Sequence, residues 1–114
     1  MEDEFWEFME KLVSSTSIII DRPKGSTHPH FPELTYPLDY GYLKDTKSTD
    51  GGGIDVWLGS LRSKKIDGFL ATVDLQKMDS EIKLVIGCSE SEILTIQNFH
   101  KSHKMRAILI QRKK

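Results

Sequence analysis

The stretch Tyr36–Gly59, YPLDYGYLKDTKSTDGGGIDVWLG, gathers all three tyrosines of the chain, a proline, and a glycine run into one short segment. Tyr40–Leu43 and Ile54–Leu58 have the apolar and aromatic content of strands, and the polar loop Lys44–Gly53 joins them. Asp50 and Asp55 flank Gly51, Gly52 and Gly53, so a tight backbone turn holds two acids at the mouth of a strand. Carboxylates placed in this way suit a hard divalent cation.

Length and charge then narrow the classes. With 114 residues the chain forms one domain, 1–114, with a modest core. A net charge of −1 argues against a nucleic-acid partner held by broad phosphate neutralisation. The apolar run Ile18–Ile20 is only a strand's worth, so no membrane span is expected. The acidic, amphipathic start MEDEFWEFME is the opposite of a secretory signal, and a single cysteine, Cys88, suits a reducing compartment; a cytoplasmic location is expected. Cys88 reads better as a small half-buried apolar residue than as a nucleophile.

Phe5, Trp6, Met9, Leu12 and Val13 recur at helical spacing and predict a helix over residues 1–14, with acids near its positive end. Residues 17–111 carry the strands and one further helix. Ser17–Asp21 reads as a strand stopped by Pro23. His28, Pro29, His30, Phe31 and Pro32 are too proline-rich for regular structure. His28 and His30 have no third histidine or cysteine nearby, so a structural zinc is not expected; exposed loop histidines or donors to an anion are both open. Gly68–Leu75 alternates, with Phe69, Ala71, Val73 and Leu75 expected to face inward. Glu81–Ile86 is another strand. Ser89 with Glu92 is a capping-box pattern opening a helix that runs to about Lys101. Arg106–Gln111 closes the chain as a strand. Many short strands with two helices predict a mainly β fold with flanking helices (α+β), a small curved sheet or barrel. Trp6 and Trp57 are compatible with core burial and with contact between copies in a homo-oligomer.

IIIDRPKGS (Ile18–Ser26), YPLDYGY (Tyr36–Tyr42), DGGGIDVWLG (Asp50–Gly59) and EIKLVIG (Glu81–Gly87) together resemble the soluble family I inorganic pyrophosphatases, in a shortened and divergent form. The resemblance touches most of the chain between about Ile18 and Phe99. It implies a small OB-like five-stranded barrel and magnesium-dependent hydrolysis of a phosphoanhydride, with pyrophosphate or another phosphorylated small molecule as partner. Asp50 and Asp55 match the outer aspartates of the family's metal-binding signature, and Tyr40 matches a phosphate-contacting tyrosine. Glu81 and Lys83 fall where the family has an acidic metal ligand and a phosphate-binding lysine. Asp79 stands for a further metal-binding aspartate, and Lys104 for a C-terminal lysine in loose register, with His103 in place of a tyrosine. Asp21 occupies an acidic strand-end position. The resemblance thus implies Asp50, Asp55 and Tyr40 as catalytic residues and Asp50, Asp55, Asp79 and Glu81 as Mg2+ ligands. Lys83, Tyr40 and Lys104 are then substrate contacts, with Arg22, Lys24 and His28 as further donors.

The pattern also departs from the family. Gly52 replaces the signature's middle aspartate and Gly53 its proline, and loss of a positioned base costs on the order of 10²–10⁴ in rate. Three readings follow: a hydrolase of reduced activity, a non-hydrolytic binding protein for a nucleotide or other phosphorylated small molecule, and a scaffold without chemistry.

Overall fold

The computed structural model describes residues 2–48 and 51–113. A 13-residue helix, α1 (Glu2–Ser14), leads into β1 (Ile18–Arg22), β2 (Asp39–Leu43), β3 (Asp55–Leu58), β4 (Ile66–Asp74) and β5 (Asp79–Ile86); α2 (Glu90–Phe99) and β6 (Met105–Gln111) follow. The six strands form one mixed sheet in the order β1-β2-β3-β5-β4-β6. All neighbours are antiparallel except β3 and β5, which run parallel. The mainly β fold with flanking helices is therefore realised, and each strand read from the residues forms. The five-stranded barrel is not: a sixth strand extends the sheet, and among the described residues β1 and β6 end it without pairing to each other.

Each face of the sheet has its own cluster. On one face α2 covers Tyr36, Leu38, Trp57, Leu70, Val85 and Cys88 through Ile93 and Ile96. On the other, α1 lays Trp6, Met9 and Val13 over Leu43, Val56, Leu84 and Ile86. Those three α1 residues follow the helical stripe, whereas Phe5 (41% exposed) stands at its edge, touching the Trp6 ring edge-on at 5.1 Å. The Arg112 guanidinium lies over Trp6 and pairs with Glu10, which ties the end of the chain to α1. Both tryptophans are buried, Trp6 at 4% and Trp57 at 0% exposure, so core packing accounts for them.

Strand β4 corrects one expectation. Past a bulge that follows Ile66, its deeply buried phase is Gly68, Leu70 and Thr72; Val73 and Leu75 are 46% and 62% exposed. Because both faces of β4 are covered, simple alternation misleads there. Phe69 packs against Trp6 at 5.9 Å on the α1 face, and Val73 lies beyond that cover. A glycine and a threonine on the α2 face disguise the buried phase.

The capping box at α2 forms in full. Glu92 N–H donates to Ser89 Oγ at 3.2 Å, and Ser89 N–H donates to Glu92 Oε1 at 2.9 Å. Ser60 N–H, from the segment after β3, adds bonds of 3.3 and 3.2 Å to the same carboxylate. Burial pulls the Glu92 carboxyl upward, but these backbone donors outweigh it and hold the group below its usual value. The helix stops at Phe99, with His100 as its C-cap, slightly short of the expected Lys101.

Gly41 marks where β1 approaches β2 most closely: a Cβ at this position would overlap the Ile19 carbonyl, which is backbone and cannot swing aside. Gly41→Ala is expected to destabilise the fold by about 3 kcal/mol, the upper end of ordinary overpacking. Urea unfolding of the variant against the wild type checks this, and a difference under about 0.5 kcal/mol would show that β1 yields without cost.

Candidate active-site cleft

Register brings the polar residues together. In the parallel pair, Asp55 of β3 lies opposite Lys83 of β5, and in the antiparallel pair Tyr40 of β2 lies opposite Trp57. Alternation along β5 puts Glu81 and Lys83 on the face that α2 only partly covers. Lys83 Nζ then donates to Asp55 Oδ2 at 2.8 Å, to Tyr40 Oη at 2.7 Å and to Glu81 Oε2 at 3.4 Å. The lysine is 6% exposed, and its ammonium also sits 5.2 Å from the centre of the Tyr40 ring. Burial, then the Asp55 carboxylate beside it, pushes the Tyr40 phenol well above its usual value, so it stays protonated.

This cluster sits in a cleft of about 400 Å³. Arg22 and Asp21 from the end of β1 line it, as do His28 and Phe31 of the β1–β2 loop and His103 and Lys104 of the α2–β6 loop. Lys24 and Asp79 do not line the cleft. The Lys24 backbone N–H instead binds Asp39 Oδ1 at 2.9 Å. Asp79 is in phase with Glu81 but lies at the hairpin end of β5, opposite Asp74. Asp50 lies outside the described residues. Among the described residues no group of three or more histidine, cysteine or carboxylate side chains converges as a metal cage. Of the carboxylates that line the cleft, Asp21, Asp55, Asp74 and Glu81, the two that meet at Lys83 are Asp55 and Glu81.

The fold is pyrophosphatase-like. A structure of an inorganic pyrophosphatase from Coxiella burnetii matches with a TM-score of 0.58 over 82% of each chain, at 14% sequence identity. An inorganic phosphatase from Anaplasma phagocytophilum matches with a TM-score of 0.57 over 82% of this chain and 81% of its own, at 13% identity. No protein-family model matches the sequence, and neither does any curated protein. No helix among the described residues is long and apolar enough to cross a membrane.

Sequence reasoning missed His100, which is 4% exposed beneath the cleft. The Trp57 indole N–H donates to His100 Nε2 at 3.0 Å, so the ring proton sits on Nδ1, 3.1 Å from Met105 Sδ. Its one clue was Trp57 itself, since a buried indole N–H usually finds an acceptor. Cys88 is buried and its thiol is pushed up to about 12 by burial and then by Asp67, which fits the inert reading.

Burial, with the nearby Lys83 charge second, lowers His100 from 6.5 to about 3. Between those values the unfolded chain takes up a proton that the folded chain refuses. Stability is therefore full above about pH 6.5 and is lost as pH falls, with a slope up to about 1.4 kcal/mol per pH unit. His28, also lowered by burial and then by His30 and Arg22, acts in the same direction. Denaturant unfolding at pH 7 and pH 5 is expected to differ by about 2 kcal/mol. His100→Gln, which keeps an acceptor for Trp57, is expected to flatten that dependence; an unchanged slope would remove His100 as its source.

Proposed function

We propose that the chain hydrolyses a phosphoanhydride with the help of magnesium, inorganic pyrophosphate to two phosphates being the simplest case. The observation that carries this reading is the buried Lys83, held by Asp55, Glu81 and Tyr40 at the floor of a cleft that basic side chains also line. The pyrophosphatase-like fold supports it.

The donor set fits magnesium in a particular way. Two carboxylates are too few for an all-protein cage, but Mg2+ commonly binds through one or two carboxylates together with substrate phosphates. Asp55 and Glu81 would hold it, with Asp50 beside the glycine run as a further ligand. When bound, magnesium neutralises phosphate oxygens and acidifies water. The chain's own groups do the rest. Lys83 and the protonated Tyr40 donate to phosphate oxygens and stabilise charge growing on the leaving phosphate. Asp55 accepts a proton from the attacking water as its oxygen bonds to phosphorus and the bridging P–O bond breaks. Pyrophosphate and one water leave as two phosphates.

Gly52 stands where a third carboxylate would assist, which places the rate below that of a fully equipped site by on the order of 10²–10⁴. That shortage, with Asp79 outside the cleft, favours a second reading in which the cleft holds a phosphorylated small molecule without cleaving it. Phosphate release from pyrophosphate separates the two. Magnesium-dependent release is expected, abolished by chelation, with Lys83→Met and Asp55→Asn each lowering it by at least about a hundredfold. Binding of pyrophosphate without release above the Asp55→Asn background would select the second reading, and no binding would remove both. Magnesium alone is expected to bind weakly, and more tightly once the diphosphate is present; equal affinity in the two titrations would contradict shared coordination.

A further inference from the structure

We propose that the cleft selects a nucleoside diphosphate, its base lying on a wall of aromatic rings and its phosphates reaching Lys83. The inference rests on the phosphate-binding reading above and adds the part of the ligand that an inorganic anion lacks.

The cleft has two chemically different parts, which adjoin where Tyr36 packs against Tyr40 at 5.4 Å. One is ionic, with Lys83, Asp55, Glu81 and Tyr40 at its floor. The other is a row of rings in unbroken contact. Tyr36 and His28 are parallel to within 2° at 5.9 Å, His28 and Phe31 are 5.2 Å apart, and Phe31 stacks on His103 at 3.8 Å. The row starts at the buried Tyr36, passes through half-buried His28 and Phe31, and ends at the exposed His103. All four rings line the same cleft as Lys83.

Local bonding holds this wall in place. The backbone N–H groups of His30 and Phe31 donate to His28 Nδ1 at 3.0 and 3.2 Å, which fixes the His28 ring and leaves its Nε2 side as a donor. His103 has a φ of 52°, a left-handed backbone that is uncommon for a residue with a side chain. Its Nε2 lies 3.1 Å from Glu33, so the β1–β2 and α2–β6 loops meet where the rings stack.

An inorganic polyanion gains nothing from such a wall. A purine or pyrimidine does, because stacking on aromatic rings contributes about tenfold or more in affinity per base. The volume agrees: about 400 Å³ is in the range of sites for organic ligands. Arg22, Lys77 and Lys104 line the cleft and supply charge for the phosphates.

Calorimetric titration of ADP and of pyrophosphate, each with Mg2+, tests the assignment. ADP is expected to bind about tenfold more tightly than pyrophosphate. Phe31→Leu, which keeps apolar bulk without a ring, and His103→Ala are each expected to bring that ratio towards one, whereas Lys83→Met weakens both ligands. Pyrophosphate binding as tightly as ADP, or a ratio unmoved in both wall variants, would overturn the nucleotide assignment and leave the phosphate reading standing. Binding of neither ligand would overturn both.

Discussion

The buried Lys83 ammonium is the interaction on which the rest of the candidate site depends. At 6% exposure an unpaired charge would be costly, and the fold meets that cost with two carboxylates and a phenol. None of these partners is close to it in sequence except Glu81. Asp55 reaches it because β3 and β5 pair in parallel, and Tyr40 reaches it because β2 pairs with β3 in a register that sets it opposite Trp57. A one-residue slip in either ladder would turn Asp55 or Tyr40 to the opposite face and strand the lysine. The polar cluster and the sheet register therefore specify each other.

The two hydrophobic clusters explain why the cleft is where it is. α1 covers one face of the sheet near Trp6, and α2 covers the other around Ile93 and Ile96. On the α2 face the cover runs out beyond Trp57 and His100, and the polar ends of β3 and β5 begin there. Trp57 is shared by both regions: its ring packs with Tyr36, Tyr40 and Phe99, and its N–H is anchored on His100. The site is thus backed by a rigid aromatic layer, which keeps Tyr40 and Lys83 in fixed positions relative to the core.

Much of this was legible in the residues. The Ser89–Glu92 capping box, the strand Ile54–Leu58 after the glycine run and the Glu81/Lys83 alternation are local patterns, and local patterns survive folding. The inward phase of β4 was not legible, because a strand covered on both faces loses the alternation that reveals its phase. Asp79 was expected at the site from the family resemblance alone; it stands at the start of β5 opposite Asp74 and does not line the cleft, although Asp74, Gln76 and Lys77 of the same hairpin do. His100 and the stacking of Phe31 on His103 arise from contacts between distant segments, for which spacing carries no signal.

Charge balance around Lys83 also links the two kinds of ligand on the proposed reading. A phosphate that enters the cleft competes with Asp55 and Glu81 for the same ammonium. As Lys83 turns its donors to the phosphate, the carboxylates lose their counter-charge and become better ligands for a cation. A cation bound there in turn lowers the repulsion felt by the phosphate, so each ligand strengthens the other by the same factor. With few carboxylates at the centre this coupling matters more than in an acid-rich cage, because neither the cation nor the anion is held strongly by protein groups alone. A site of that kind is disposed towards a ligand that brings further binding energy of its own, and the ring wall that lines the same cleft is placed to receive it.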